Sequence, residues 1–479
     1  MTPVTAPIRS LDDLRGRRAV VFGLARSGGA AARMLADGGA EVTVYDRRPA
    51  AALSKEIAGL GDRAIRLALG VPEDEARALI ARGDLLVTSP SISPDFPTTD
   101  PWLRAALSEA IGRGVELVSE VELFLRLTSA RVLAVTGTKG KTTTTALIGE
   151  ILAASGISHL VGGNIGRPLI EQVGLLGPAD WAVLELSELQ LPTISRGADI
   201  AVYTNIGADH LDRHASEAAY RAVKARLGEL SARSGRVVLN ADDPGCRELG
   251  ARLPAASIAW YGLAAVDSWL AARVTDGWLM VRGERVLPVA EVPLPGRHLL
   301  SDALAAALAA DLVGASTSAI AAGIRRFRGV RHRLETLGAW GGVRWVNDSQ
   351  ATIPVAAIAA LEAFLPARVV LIAGGQDKGL DYALFAEAAV SRCRAVVLIG
   401  ETADELERLI AGRVAIERVA SMDDAARRAA ALALPGDVVL LSPAAASFDM
   451  FTDYAARGDA FRSAASTFGG ARSAAETDG

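Results

Sequence analysis

Arg131-Val-Leu-Ala-Val-Thr-Gly-Thr-Lys-Gly-Lys-Thr-Thr-Thr144 is the most informative stretch of the chain. A β-branched apolar run, a glycine-bounded turn and an apolar helical pattern to about Ala154, with Gly156 placed as its C′ residue, read as strand, loop and helix. In such a loop the backbone N–H groups of Gly137, Thr138, Lys139 and Gly140 wrap phosphates. Lys141 reaches the terminal phosphates, and the hydroxyl of Thr142, with Thr143 beside it, serves Mg²⁺. The strict eight-residue pattern has glycine where Val135 stands, so this is a variant P-loop. The bland alternative is a chance Gly-Lys-Thr-Thr run between a strand and a helix.

Outward from this loop the same unit recurs: a short apolar run, a glycine turn, then an Ala/Leu-rich helical pattern. That alternation predicts an α/β protein with parallel sheets covered by helices on both faces. Arg18–Gly23, Ala40–Asp46 and Asp84–Pro90 form a first group of strands, and Arg131–Gly137, Trp181–Leu186, Ile200–Asn205 and Arg236–Asn240 a second. Val343–Asn347, Arg368–Gly375, Ala395–Gly400 and Asp437–Pro443 form a third. The spacing predicts three domains, 1–117, 118–330 and 331–479. Between about 255 and 295, Trp, Tyr and Val alternate with polar residues, which predicts a small mixed sheet appended to the parallel sheet of the middle domain.

Composition narrows the function. The 479 residues carry 51 basic and 55 acidic side chains, a net charge of −4, which leaves no basic excess for a nucleic-acid partner. Two cysteines, Cys246 and Cys393, exclude a disulfide framework or a cysteine-based zinc site and suit a reducing cytoplasm. The N-terminus lacks a signal-peptide pattern. Ala303–Ile324, the most apolar stretch, is built of Ala and Gly around Asp311 and predicts a packed helix, with no membrane insertion.

Two further constellations stand out. Gly23-Leu-Ala-Arg-Ser-Gly28 follows a strand, and Asp46 ends the next one; together they suit a diphosphate at a helix N-terminus with the acid near a ribose or base. Ala25 replaces the middle glycine of a dinucleotide fingerprint, which weakens a nicotinamide reading, and a turn used only for tight packing explains the same residues. In the middle domain Glu185 and Asn205 end strands, Asp209-His210 follow, and a helix over Ser216–Ala232 carries Tyr220, Arg221, Lys224 and Arg226, with Ala219, Val223, Leu227 and Leu230 as its core stripe. A carboxylate and an imidazole at strand ends suit a metal near the nucleotide. Taken singly, Glu185 reads as a buried capping acid, His210 as a loop histidine and Lys224 as a solvated helix lysine.

Thr136–Thr144, Gly163-Asn-Ile-Gly166, Leu184-Glu-Leu-Ser187, Asp209-His-Leu-Asp-Arg213, Tyr220-Arg-Ala-Val-Lys224, Asn240-Ala-Asp-Asp243, His332-Arg-Leu-Glu335, Asn347-Asp-Ser349 and Leu441–Ser447 occur in this order along nearly the whole chain. In this the chain resembles the Mur ligases, most closely the branch that adds glutamate to UDP-N-acetylmuramoyl-L-alanine. The sister folylpolyglutamate synthases share the P-loop and His-Arg motifs but not the Gly23–Gly28 and Asp46 unit. The resemblance implies a Rossmann-like UDP-binding domain, a central P-loop ATPase domain and a Rossmann-like C-terminal domain.

It also implies an ATP-dependent ligase of peptidoglycan precursor synthesis, working through an acyl phosphate as a cytoplasmic monomer. ATP and Mg²⁺ are its cofactors, with UDP-N-acetylmuramoyl-L-alanine, glutamate and ATP as small-molecule partners. Carried over by motif, Lys141, Glu185, His210 and Lys224 are catalytic. Thr142, Glu185, His210 and a carbamylated Lys224 face metal, and Arg333 and Asp348 join residues 137–143 in contacting ATP. Ser27, Asp46, Arg47, Asn164 and Ser187 would contact the UDP-sugar, and Thr352, Lys378, Ser447 and Tyr454 the glutamate. The chain departs from the branch's pattern at Gln350, where lysine is usual, at Lys139 in place of asparagine and at Tyr454 in place of phenylalanine. The branch pattern predicts D-glutamate; a related group uses L-glutamate. A nicotinamide dehydrogenase would leave the Lys141-Thr142 loop unused.

Overall fold

A computed structural model of the chain describes residues 7–207, 216–264, 269–293 and 296–475, with side chains to 467. Among the described residues, twenty strands form three sheets. The first contains β1 (Arg18–Phe22), β2 (Glu41–Asp46), β3 (Ile65–Leu69), β4 (Leu85–Thr88) and β5 (Glu116–Ser119), all parallel in the order β3-β2-β1-β4-β5. Its outer strands β3, interrupted by Arg66, and β5, bounded by Glu116 and Ser119, are only partly buried and lack the continuous apolar run that marks β1 and β4 in the sequence.

The second sheet is built on β6 (Arg131–Thr136), β7 (His159–Gly163), β8 (Trp181–Glu185), β9 (Ile200–Tyr203) and β10 (Arg236–Asn240). Val132, Leu133, Ala134 and Val135 are each 0% exposed, as expected of a central parallel strand covered on both faces. The mixed strands expected over 255–295 are present and continue this same sheet. β11 (Ile258–Gly262) and β12 (Ala272–Thr275) add in parallel, then β13 (Trp278–Val281) and β14 (Glu284–Pro288) turn back antiparallel. The nine-stranded order is β14-β13-β12-β11-β10-β9-β6-β8-β7. One apolar core joins residues below both sheets, including Leu35, Leu123, Phe124, Ile170, Leu186 and Ile194.

The stretch Ala303–Ile324 is two helices, Arg297–Val313 and Thr317–Arg326, rather than one. Gly314, at φ +112°, ends the first, a backbone conformation that a continuing helix does not allow. Ala303–Ala310 are buried throughout, and among the described residues no helix is long and apolar enough to cross a membrane.

The third sheet holds β15 (Glu335–Trp340), β16 (Val343–Asn347), β17 (Val369–Ala373), β18 (Cys393–Leu398), β19 (Ala415–Arg418) and β20 (Val438–Leu441) in the order β15-β16-β20-β17-β18-β19. Only β15 is antiparallel to its neighbour. Separate apolar clusters cover its two faces. The chain forms two compact units: one runs to Glu291 and includes Ser301–Arg326, the other comprises Val292–Leu300 and everything from Phe327.

Candidate active site

In the first unit β6 ends at Thr136, and a four-residue loop leads into the helix Lys141–Ala154. Two glycines make the loop possible. Gly137 has φ +152°, and a Cβ there would lie 1.9 Å from Thr204 Oγ1. Gly140, at φ +85°, caps the helix, and a Cβ there would lie 2.4 Å from Asp302 Oδ1. Asn205, at the end of β9, holds the loop in shape. Its backbone oxygen accepts from Thr138 N (3.0 Å), its Oδ1 accepts from Lys139 N (2.9 Å), and its Nδ2 donates to Lys139 O (3.0 Å). Thr204 Oγ1 donates to the same carbonyl at 2.5 Å.

Two cations converge on this loop. Lys141 Nζ donates to Gly137 O (2.8 Å) and Thr138 O (2.9 Å). Lys224 Nζ donates to Gly137 O (2.9 Å) and Thr136 Oγ1 (3.3 Å). Lys224 is 0% exposed, contrary to its reading as a solvated helix lysine. The helix Glu217–Ser231, capped by Ser216 Oγ on Ala219 N, buries Tyr220, Lys224, Leu227, Gly228 and Ser231 on one face. Lysine lies on that face because Thr136, Gly137 and Glu188, whose Oε2 is 3.9 Å away, offer polar partners inside. Glu188, 5% exposed, is a site carboxylate that the sequence reading did not single out; only its place three residues past Glu185 hinted at it.

Glu185 ends β8, next to β6, and is 1% exposed. Its Oε1 accepts from Asn164 Nδ2 (2.9 Å), while Oε2 is buried with no hydrogen-bond partner among the described residues. A buried, unsatisfied carboxylate oxygen beside a phosphate loop suits a cation. Thr142 opens the adjoining helix and is half-buried. His210 lies outside the described residues, and among the described residues no cluster of three His, Cys, Asp or Glu groups forms.

The glycine turn of the first sheet is tightly built. Gly28 approaches so closely that a Cβ would lie 1.9 Å from Gly23 O. Asp46, 6% exposed, accepts from Leu24 N (2.8 Å), from Arg48 N (2.9 Å) and from the Arg48 guanidinium (2.8 and 3.1 Å). Burial works to raise its pKa, but the Arg48 and Leu24 donors outweigh burial and hold the carboxyl below its ordinary value. Ser27 and Ser187 are half-buried and Arg47 is exposed.

In the second unit the ends of β16 and β20 carry the polar residues. Asp348, 5% exposed, accepts from Ser442 Oγ (2.8 Å) and Leu334 N (3.1 Å), yet burial pushes its pKa up to about 7. Asn347 Nδ2 meets His332 Nδ1, Glu335 Oε2 and Gly458 O, each at 3.1 Å. His332 is buried at φ +63°. Arg457, 1% exposed, spans Ser349 and Ala446 with three hydrogen bonds of 3.0 Å, a link the sequence reading missed. Ser447 is buried, Arg333 and Thr352 half-buried, and Lys378, Gln350 and Tyr454 exposed.

A profile of the Mur ligase middle domain matches residues 135–310, and one of the Mur ligase glutamate ligase domain matches 332–445. The UDP-N-acetylmuramoylalanine–D-glutamate ligase of Solibacter usitatus is 41% identical over 451 residues, covering 94% of this chain and 97% of that protein. The chain belongs to the Mur ligase family. A second relative of this Mur ligase, the enzyme of the same name from Acidobacterium capsulatum, is 40% identical over 94% of the chain and 96% of its own length. Among solved structures, UDP-N-acetylmuramate-alanine ligase MurC from Thermotoga maritima superposes with a TM-score of 0.56 at 19% identity, covering 94% of this chain and 99% of that one. That likeness supports the three-domain α/β fold.

Proposed function

We propose that this Mur ligase joins D-glutamate to UDP-N-acetylmuramoyl-L-alanine at the expense of ATP, in peptidoglycan precursor synthesis. The observation that carries the reading is the convergence of Lys141 and Lys224 on the Gly137 carbonyl, on a sheet whose Glu185 keeps a buried oxygen without a partner among the described residues. The name shared by the relatives supports the amino acid.

A carboxylate and an amine do not condense in water, so the carboxylate oxygen first attacks the γ-phosphorus and ADP leaves. The glutamate amine then attacks the acyl carbon, and phosphate departs with the carboxylate oxygen that carried it. The protein's part is positioning and neutralising charge. Residues 137–143 take the phosphates, with Lys141 offsetting the charge that builds on the transferred group. Mg²⁺, held by Thr142, Glu185, His210 and a carbamylated Lys224, shields phosphate charge when bound. Arg333 and Asp348 contact ATP. Ser27, Asp46, Arg47, Asn164 and Ser187 bind the UDP-sugar, and Thr352, Lys378, Ser447 and Tyr454 bind glutamate. These roles divide the chain at 1–117, 118–330 and 331–479, acting as a monomer in the cytoplasm.

Burial of Lys224 at the phosphate loop, against the Gly137 carbonyl, supports the carbamate. The 3.9 Å approach of Glu188 favours a second reading of this one residue, an unmodified ammonium held by that acid. Phosphate release with ATP, UDP-N-acetylmuramoyl-L-alanine and either enantiomer of glutamate tests the whole proposal. Faster release with D-glutamate is expected; faster release with L-glutamate reassigns the amino acid, and release with neither contradicts the ligase.

A further inference from the structure

Arg26 lies inside the glycine turn of the first sheet, but its side chain bonds elsewhere. Its Nη2 donates to Asn164 O at 2.7 Å and its Nη1 to Gly166 O at 3.2 Å. The loop that it grips packs closely against β8. Gly163 (φ +96°) approaches β8 so closely that a Cβ would lie 2.4 Å from Glu185 O, and Gly166 is also left-handed at φ +63°. Asn164 N donates to Glu185 O (2.9 Å) while Asn164 Nδ2 donates to Glu185 Oε1 (2.9 Å). The acid is therefore gripped at both backbone and side chain by a residue whose own carbonyl is held by Arg26.

A guanidinium has five N–H donors in a fixed plane, and the two carbonyls occupy two of them. The positive charge that Arg26 carries also suits an anion bound in the turn it belongs to. The positive charge also acts on Glu120, a 4% exposed acid that receives the Ile170 amide at the same junction.

We infer that Arg26 is a positioning residue that couples occupancy of the Gly23–Gly28 turn by a nucleoside-diphosphate group to the setting of Glu185 for its cation. This rests on the functional reading above, in which the turn takes the UDP-sugar and Glu185 serves Mg²⁺. A ligand that orders Arg26 orders the 163–166 loop, and that loop fixes Glu185 Oε1 while leaving Oε2 for the metal. The coupling is reciprocal, so Mg²⁺-nucleotide at the P-loop tightens the nucleotide-sugar in turn. Lysine at position 26 keeps the charge but cannot bridge two carbonyls with a planar fork.

The test is calorimetric binding of UDP-N-acetylmuramoyl-L-alanine to the full chain, with and without saturating Mg²⁺ and a non-hydrolysable ATP analogue. The wild type should bind the nucleotide-sugar about tenfold more tightly when the analogue is present, and Arg26→Ala and Arg26→Lys should cut that ratio to less than about twofold. Both variants should keep the wild-type thermal midpoint and still bind the Mg²⁺-analogue. An undiminished ratio in Arg26→Ala, a full ratio in Arg26→Lys, or no ratio in the wild type overturns the inference. A wild type that binds the analogue but no nucleotide-sugar contradicts the functional reading itself.

Discussion

Glu120→Gln should make the protein more stable at pH 8 than the wild type, and the gain should vanish in mild acid. Glu120 opens the helix Glu120–Leu127 that follows the first sheet, and is 4% exposed. Burial raises its pKa from 4.5 to about 7, against the pull of the Ile170 amide and the Arg26 charge; Glu171 adds to the rise. The folded state thus holds this proton more tightly than the unfolded chain does. Stability falls as pH rises from about 4.5 and the loss is complete above about 7, because the carboxylate must then ionise in a dry site. The gap between 4.5 and about 7 corresponds to about 3 kcal/mol, of which about 2–3 kcal/mol separates pH 5 from pH 8. Glutamine removes the ionisation and keeps an acceptor for the Ile170 amide. Urea unfolding of both proteins at pH 5 and pH 8 measures the effect. An advantage of the glutamine variant that is the same at both pH values, or larger at pH 5, refutes the reasoning.

Lys141→Ala should lower phosphate release by about 10³-fold while moving the thermal midpoint by less than about 2 °C, because its bonds run to carbonyls of its own loop; a folded variant of normal activity would rule out the P-loop assignment. Gly137→Ala should weaken binding of an ATP analogue by at least about tenfold, since the new methyl must push aside Thr204 Oγ1 at 1.9 Å and sit at φ +152°. Unchanged affinity by calorimetry would show that the loop gives way freely. Lys224→Ala should lose nearly all turnover and regain part of it in acetate or formate, with Lys224→Arg inactive. An active arginine variant, together with an unmodified lysine by intact mass, would point instead to the ammonium paired with Glu188.

The P-loop was legible because everything that defines it is local: a buried strand, two glycines with left-handed backbone, and a helix, all within 131–154. The strand-end acids were legible for a similar reason, since parallel sheets bring the ends of consecutive strands to one edge. Burial of Lys224 was not, because helical periodicity places it beside Tyr220 and Leu227 without saying that Gly137 O and Glu188 wait there. The break at Gly314 hides within an alanine-rich run whose composition suits either one helix or two. Arg26 was hidden for a different reason. Its partners are backbone carbonyls nearly 140 residues away, and a carbonyl leaves no mark on the sequence. The edge strands β3 and β5 went unread because Arg66 interrupts one and Glu116 and Ser119 leave the other only two apolar residues.

The account turns on an acyl phosphate formed at the Lys141 loop. UDP-N-acetylmuramoyl-L-alanine labelled with ¹⁸O in both oxygens of its free carboxylate follows that step atom by atom. The amine displaces phosphate from the acyl carbon, so one labelled oxygen should appear in the released phosphate at every turnover and the other should remain in the new amide. Mass spectrometry of the phosphate after turnover with ATP and D-glutamate reads this directly. Phosphate carrying one ¹⁸O is the expected result. Unlabelled phosphate released alongside the ligated product would contradict the mechanism.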